Sequence, residues 1–256
     1  MTRIAVLSDI HGNLQALQAV LKDIRRQGFD RVFCAGDLVG YGPWPDEVAA
    51  LLQERQIPSV MGNYDEAVGF LLPACGCHIG DPEQKRLSDH SLKWTIEHTS
   101  PATREYLRGL PEQISESVEG HNMLLTHAGV DSINEYVYEE DRERIGEILG
   151  GIEEDIYIYG HTHFPFVRQA GGKTIINAGS VGRPKQGDNR ASYIDMRITS
   201  GRVEADIIKV AYDVERAAAD VVARGLDPGF ARFLLYGGDS SRISCALCGR
   251  LPQNRG

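Results

Sequence analysis

Two short patterns in this sequence bring metal-ligating side chains close together. One is Asp9-Ile10-His11 and the other is His161-Thr162-His163. In extended backbone, side chains two positions apart lie on the same face, so the members of each pair can reach one object. Carboxylate oxygen and imidazole nitrogen are both ligands of divalent transition metals. Either pattern alone is weak evidence, because a histidine at a strand end also serves purely structural roles.

Three further positions carry similar side chains directly after predicted strands. Asp37 lies in Gly-Asp-Leu-Val-Gly, Asn63 in Gly-Asn-Tyr-Asp and His127 in Thr-His-Ala-Gly. Ligands of open α/β sheets bind beyond the carboxyl ends of the strands, so five strand ends are expected to face one site. Burying these groups together without compensation would be costly, and bound cations would remove that cost.

The number and chemistry of these side chains indicate a two-metal site. The set is too large for one ion that keeps a coordination position open, so we expect two ions that share a carboxylate. A mixture of imidazole and oxygen ligands without thiolate favours Mn, Fe, Zn, Co or Ni over calcium. The predicted ligands are Asp9, His11, Asp37, Asn63, His127, His161 and His163.

Short apolar segments separated by amphipathic segments predict an α/β fold. Helical periodicity runs from Leu14 to Ile24 and again over 47–55. The strand, helix, strand order favours a parallel or mixed sheet. Strands are predicted at 4–8, 31–35, 57–61, 122–126, 156–159 and 174–177, followed by a hairpin that joins 191–197 to 203–210.

A long segment at about 65–119 interrupts this alternation with helical patterns only. It contains a helix at 84–97 and another that begins at Ser100-Pro101, an N-cap followed by a proline in the first turn. Further helices are predicted at 139–149 and 213–224. We therefore expect one domain over 1–236, with a helical insertion at 65–119, and a mobile polar tail over 237–256.

Charge and composition limit the possible partners and location. The net charge of −9 argues against stable binding to a nucleic-acid backbone, which requires a basic face. The first residues lack the apolar core of a signal peptide, and no apolar run approaches the roughly 20 residues of a membrane helix. A cytoplasmic protein without membrane association is therefore expected.

The five cysteines do not resemble a disulfide framework. Cys34 lies in an apolar strand and is expected to be a core residue. Cys75 and Cys77 form one close pair, and Cys245 and Cys248 form another. Together these pairs could make a structural zinc site or redox pairs, and the distance between them in sequence favours independent thiols.

The ordered motifs together resemble the calcineurin-like metallophosphoesterase superfamily. Its pattern is D-x-H, G-D-x-x-G, G-N-H-D or G-N-H-E, a histidine, and G-H-x-H. The resemblance covers roughly residues 3–210 and is greatest to small bacterial and archaeal phosphodiesterases, which also carry a motif like Asn-Ala-Gly-Ser-Val-Gly at 177–182. The corresponding positions here are 9–11, 36–40, 62–65, 127 and 160–163.

This resemblance implies a fold, a metal arrangement and a reaction. The fold would be a four-layer αββα sandwich of two mixed β-sheets flanked by helices, and the insertion would act as a cap. Asp37 would bridge the two ions, and a metal-activated hydroxide would attack a phosphodiester, nucleotide or phosphoanhydride. One ion would be held by Asp9, His11, Asp37 and His163, and the other by Asp37, Asn63, His127 and His161.

The sequence departs from the family pattern at Tyr64, where many relatives have a histidine that helps to protonate the leaving group. Tyrosine, with a reference pKa of about 10, is a poorer proton donor than histidine at neutral pH. Tyr64 therefore favours substrates with stable leaving groups. His90 is an alternative acid, or a surface residue. Arg183 is either a ligand for a phosphate oxygen or an ordinary loop arginine, and Tyr41 either stacks on a base or packs its loop.

Two other functions are compatible with the same motifs. A serine/threonine phosphoprotein phosphatase is disfavoured by Tyr64 and by the absence of R-G-N-H-E. A catalytically silent binding module, such as the retromer subunit that resembles this fold, is disfavoured because the complete ligand set is present. A Rossmann nucleotide-binding domain is excluded, because Ser-Asp-Ile-His-Gly stands where G-x-G-x-x-G would be needed.

Overall fold

The chain, whose residues 1–76 and 82–238 are described by a computed structural model, begins with alternating strands and helices and continues with groups of consecutive helices and consecutive strands. The strands are four to nine residues long, and the helices bury one face. In chain order the elements are β1 (Thr2–Leu7), α1 (Leu14–Gln27), β2 (Arg31–Cys34), α2 (Pro45–Glu54), α3 (Asn63–Gly69), α4 (Pro82–His98), α5 (Pro101–Arg108), β3 (Gln113–Val118), β4 (His121–Thr126), α6 (Arg142–Gly151), β5 (Ile156–Tyr159), β6 (Phe166–Ala170), β7 (Lys173–Asn177), β8 (Ala191–Thr199), β9 (Arg202–Val210), α7 (Val214–Ala223) and α8 (Pro228–Tyr236).

The described strands form two mixed sheets. The first has four strands in the order β2-β1-β8-β9, in which only β1 and β2 are parallel. The second has five strands in the order β3-β4-β5-β7-β6, in which β5 is parallel to β4 and to β7. Strands β1, β2, β4 and β5 each end just before one of the predicted ligands. The sheet topology therefore brings these strand ends and the ligands that follow them close together.

Side chains of β1 alternate between two separate cores. Ile4 and Val6 are buried against the five-stranded sheet. Ala5 and Leu7 face the opposite way and pack with Leu17 of α1. This alternation follows from the period of two in a strand, and it buries both faces of the four-stranded sheet.

Strand β5 shows the same alternation in the second sheet. Ile156 and Ile158 join the core between the sheets, whereas Tyr157 and Tyr159 pack with Ile148 of α6 on the outer face. Helices therefore cover both outer faces of two packed sheets. The four-layer αββα sandwich predicted from the sequence is confirmed.

Most predicted elements are present with small shifts at their ends. The hairpin of β8 and β9 turns at 200–201 as predicted. Ser100 caps α5 by accepting a hydrogen bond from Thr103 N at 3.2 Å. Helix α8 and strand β6 were not predicted. In the described ranges, no helix is both long enough and apolar enough to span a bilayer.

The strand predicted at 57–61 is wrong. This stretch runs beside β2 but forms one isolated parallel bridge, between Cys34 and Ser59. Pro58 has no N–H to offer the sheet, and Met61 N donates to Pro111 O at 2.8 Å instead of to β2. The extended pairing therefore stops after the bridge at Ser59, and α3 begins four residues later.

The prediction of helical patterns only over 65–119 is also wrong at its carboxyl end. Residues Gln113–Val118 form the edge strand β3, which pairs antiparallel with β4. Its alternating exposure reflects a strand whose polar side chains face water. The role of this segment as a cap stays a prediction. The predicted tail lies mostly outside the described residues, as do Cys77, Cys245 and Cys248.

The core between the sheets should dominate stability. Ile176 is fully buried there, whereas Ile207 of β9 is 38% exposed. Ile176→Ala should lower the free energy of unfolding by about 2 to 5 kcal/mol, because it leaves a cavity. The matched Ile207→Ala should cost no more than about 1 kcal/mol. Urea unfolding followed by circular dichroism measures both, and equal losses would contradict this account of the core.

Candidate metal centre

All seven predicted ligands lie together at the ends of strands and are removed from bulk water. Loops after β1, β2, β4 and β5 carry six of them, and Asn63 is the first residue of α3. Each is at most 4% exposed. The seven are Asp9, His11, Asp37, Asn63, His127, His161 and His163.

The backbone at five of these ligands adopts the left-handed region. This conformation is uncommon for residues that have a side chain, and it persists only where the surrounding structure enforces it. Here the loops brace each other, because Asp9 N donates to Gly36 O and His11 N donates to Asp37 O, both at 2.9 Å. The φ values are 51° at Asp9, 50° at His11, 55° at Asp37, 64° at His161 and 67° at His163.

Asp9, His11 and His163 form the first ligand group. Asp9 Oδ1 lies 3.2 Å from His163 Nε2 and 3.7 Å from His11 Nε2. The two Nε2 atoms are 3.2 Å apart. Asp9 Oδ1 is buried and accepts no hydrogen bond of normal geometry from the described residues. A cation at this point would satisfy that oxygen.

Asp37, His127 and His161 form the second group. His127 Nε2 lies 3.6 Å from Asp37 Oδ2 and 3.2 Å from His161 Nδ1. Asn63 Oδ1 is also 3.0 Å from His127 Nε2. Because Asp37 Oδ2 is 3.6 Å from His11 Nε2 of the first group as well, this one oxygen lies between the two groups.

Backbone carbonyls fix three of the imidazole rings. His11 Nδ1 lies 3.1 Å from Val39 O, His127 Nδ1 lies 2.7 Å from Ala35 O, and His163 Nδ1 lies 2.6 Å from Arg183 O. A carbonyl only accepts hydrogen bonds, so each Nδ1 must carry the proton. The lone pair of each Nε2 therefore faces the site, as metal ligation requires.

The oxygen ligands are oriented in a similar way. Asp9 Oδ2 accepts hydrogen bonds from Ser8 Oγ at 2.6 Å and from His161 N at 3.0 Å. Asp37 Oδ1 accepts from Tyr64 N at 2.9 Å. Asn63 Nδ2 donates to Cys75 O at 3.0 Å, which turns its Oδ1 toward His127. One oxygen of each side chain is thus left for an ion.

Burial controls the charge of the site. It lowers the pKa of all four imidazoles, that of His163 to about 4, so the rings are neutral at pH 7. Burial, followed by repulsion from Asp65 and Asp9, raises the pKa of Asp37. Burial also raises the pKa of Asp65 to about 7. Three carboxyl groups and four neutral rings fit divalent cations, whose charge favours the ionised carboxylates.

The ring of Tyr64 packs beside a candidate ligand, and its hydroxyl contacts α4. Its ring is edge-on to His11 at 5.7 Å and packs against Tyr41 at 4.7 Å. Its hydroxyl is 3.2 Å from Ser88 Oγ on α4. The group of Tyr64 that donates to Asp37 is its backbone N–H, which any residue except proline would supply.

Arg183 lies at the edge of the first ligand group. Its guanidinium is 4.0 Å from the ring centroids of both Tyr41 and Phe233. Its carbonyl is the acceptor for His163. His90, the alternative acid, stacks at 6.4 Å on Phe230 and belongs to neither ligand group.

Sequence reasoning missed two supports of the site. Asp65 accepts hydrogen bonds from Leu38 N at 2.9 Å and Gly62 N at 3.0 Å, which ties the loop after β2 to the start of α3. The acid of the G-N-x-D motif was the available signal. Tyr136 packs on His161 at 4.2 Å, and no pattern in the sequence points to it.

The chain belongs to the calcineurin-like phosphoesterase superfamily. The model of that superfamily's domain matches residues 2–201, which is more than half of the chain. The site therefore lies in a phosphoesterase fold, and the family resemblance drawn from the motifs is confirmed.

Individual relatives agree with this assignment. The uncharacterized protein MJ0912 of Methanocaldococcus jannaschii is 32% identical, over 91% of this chain and 98% of its own. Phosphodiesterase YfcE of Escherichia coli K12 is 27% identical, over 82% of this chain and 91% of its own.

Solved structures support the same fold. A metallophosphoesterase from Sphaerobacter thermophilus has a TM-score of 0.75 at 26% identity, covering 92% of this chain and 99% of its own. The hypothetical protein PH1004 of Pyrococcus horikoshii has a TM-score of 0.79 at 21% identity, covering 93% and 99%. The second comparison shows likeness of fold alone.

The close approach of Gly62 to Asp37 gives a steric test of the site. A Cβ at Gly62 would lie 2.2 Å from both N and Oδ1 of Asp37, whereas one at Gly146 in α6 would meet nothing within 4 Å. Gly62→Ala should therefore displace Asp37 and weaken metal binding by about 10- to 100-fold. Gly146→Ala should leave it unchanged. Elemental analysis after metal loading and desalting measures both, and full metal content in Gly62→Ala would contradict the assigned geometry.

Proposed function

We propose that this protein is a dinuclear metal-dependent phosphoesterase that hydrolyses a small phosphodiester, nucleotide or phosphoanhydride. The observation that carries the proposal is the position of Asp37 Oδ2, 3.6 Å from His11 Nε2 and 3.6 Å from His127 Nε2. One carboxylate thus joins two separate groups of ligands. Similarity to a relative named as a phosphodiesterase supports diesters within this class.

The ligand set suits two ions drawn from Mn, Fe, Zn, Ni and Co. When bound, two such ions supply Lewis acidity and lower the pKa of a water molecule. The residues of this chain hold the ligand atoms in place in advance, through the carbonyl and amide contacts described above. Asp9, His11, Asp37 and His163 would hold one ion, and Asp37, Asn63, His127 and His161 the other.

Arg183 is suited to bind a phosphoryl oxygen beside the first group. Arg183 N donates to Ser180 Oγ at 2.7 Å, and its carbonyl accepts from His163 Nδ1 at 2.6 Å, so its backbone is fixed to the site. Contact with the rings of Tyr41 and Phe233 holds a cation without neutralising its charge. A guanidinium placed in this way pairs with phosphate oxygens.

Tyr64 guides the choice of substrate. Its hydroxyl is directed to Ser88 of α4. Tyrosine has a reference pKa of about 10, so this hydroxyl is a weak proton donor at neutral pH. Leaving groups that need little protonation are therefore favoured, as in aryl diesters and in phosphoanhydrides. A phosphoprotein phosphatase would release the alkoxide of serine or threonine, which does need a proton.

A metal-reconstituted assay tests the proposal. Bis(p-nitrophenyl) phosphate should be hydrolysed in preference to p-nitrophenyl phosphate. Asp37→Ala should reduce diester turnover by more than about 100-fold, because loss of a shared ligand exceeds the effect of outer contacts. Asp206→Ala, at an exposed position of β9, is the matched control and should leave diester turnover unchanged.

Three results would contradict the proposal. No turnover with any of the five metals would remove the enzyme assignment, and a strong preference for the monoester would remove the diesterase assignment. Retained activity in Asp37→Ala would show that Asp37 does not join the ligand groups.

Substitutions at Tyr64 test the assignment of the leaving group. Tyr64→Phe should keep full metal content and lower diester turnover only modestly, because the backbone N–H to Asp37 remains. Tyr64→His should raise activity toward poorer leaving groups, since imidazole is a better proton donor near neutral pH. The measurement is the slope of log kcat/KM against the pKa of the leaving phenol. A large loss of metal in Tyr64→Phe would show that the role of Tyr64 is assigned wrongly.

A further inference from the structure

Three aromatic side chains form a continuous row that starts at the metal centre. The ring of Tyr136 packs 4.2 Å from His161, a ligand of the second group. Tyr138 stacks on Tyr136 at 6.2 Å with an interplanar angle of 18°. Phe164 meets Tyr138 edge-on at 6.0 Å. We call Tyr136, Tyr138 and Phe164 the aromatic row.

The outer end of the aromatic row faces solvent. Tyr138 and Phe164 are each 37% exposed. In the described part of the chain, the large exposed hydrophobic side chains include three aromatic ones, which are Tyr138, Phe164 and Phe70. Two of the three therefore touch each other beside the metal ligands. Clustering of exposed apolar surface at such a place marks a binding site, whereas scattered exposed residues do not.

The aromatic row is rigidly supported. Val137, between the two tyrosines, is fully buried, and its carbonyl accepts a hydrogen bond from Tyr159 Oη at 2.9 Å. Arg144 ties the start of the same loop through Glu135 at 2.6 Å. Phe164 directly follows the ligand His163, and its N–H donates to Thr162 Oγ1 at 3.2 Å. A backbone fixed in this way limits the freedom that is lost when a ligand stacks on the rings.

We infer that the aromatic row binds the base of a nucleoside phosphodiester whose phosphoryl group lies at the metal centre. The inference rests on the proposed function and adds a substrate class to it. Stacking on aromatic side chains tolerates every base, because every base has a π-face. The net charge of −9 disfavours a long polynucleotide, so the substrate is a small nucleotide ester.

Two esters with the same leaving group separate stacking from chemistry. Thymidine 5′-(p-nitrophenyl phosphate) carries a base, and methyl p-nitrophenyl phosphate carries none, while both release p-nitrophenolate. With the metal-loaded enzyme, KM should be lower for the thymidine ester. Tyr138→Ala and Phe164→Ala should each raise that KM by about 5- to 150-fold and leave the methyl ester unchanged.

Matched variants restrict the explanation to the aromatic faces. Tyr138→Phe retains the ring and should retain the KM of wild type. Phe164→Leu retains apolar volume without the aromatic face and should behave like Phe164→Ala. Phe70→Ala removes a more exposed phenylalanine, 50% exposed, at the end of α3 and should alter neither ester.

The outcomes distinguish failure of this inference from failure of the proposed function. Equal KM for the two esters, or equal effects of Tyr138→Ala on both, would overturn the inference and leave the phosphoesterase assignment standing. If neither ester is hydrolysed, the proposed function fails, and calorimetric binding of thymidine 5′-monophosphate to metal-loaded protein decides the inference. The inference is supported if thymidine 5′-monophosphate binds more tightly than methyl phosphate and if this difference is lost in Tyr138→Ala. Equal binding of the two phosphates would overturn it.

Discussion

The burial of three carboxyl groups in one small volume is the constraint on which the rest of the structure depends. Asp9, Asp37 and Asp65 are each at most 2% exposed. Asp65 is held by backbone N–H groups, but Asp9 and Asp37 each present an oxygen to neutral imidazoles. Such an arrangement is costly in an empty protein and favourable around divalent cations. The left-handed backbone at five of the candidate ligands is a second cost. Hydrogen bonds between the loops after β1 and β2 support three of them, and the bond from His161 N to Asp9 ties the loop after β5 to the same place.

Much of the fold could be predicted because its signals are local. Period-two and period-3.6 patterns located most strands and helices, and the family resemblance supplied their arrangement in four layers. The errors arose where pairing depends on distant partners. Residues 57–61 have the composition of a strand, yet the N–H of Met61 is taken by Pro111. Strand β3 has little apolar content, and it is a strand because β4 offers it an edge.

The clustering of the candidate ligands could be predicted because their chemistry is confined to few residue types at fixed spacings. Their supports could not, since these are backbone groups and ring faces brought together by the fold. The carbonyls of Val39, Ala35 and Arg183 orient three histidines, and any residue type provides a carbonyl. Tyr136 lies nine positions after His127 in an irregular loop, and only the folded chain shows that it packs on His161.

The shared domain ends at residue 201, but the surroundings of the metal ligands do not. Helix α8, beyond that limit, places Phe233 against Arg183 at 4.0 Å and Phe230 against Tyr41 at 5.7 Å. A cationic group beside the candidate ligands thus contacts the ligand-bearing domain through Tyr41 and a helix outside the matched residues through Phe233. Substitutions in α8 therefore offer a way to change the surroundings of this cation without altering the ligand-bearing loops themselves.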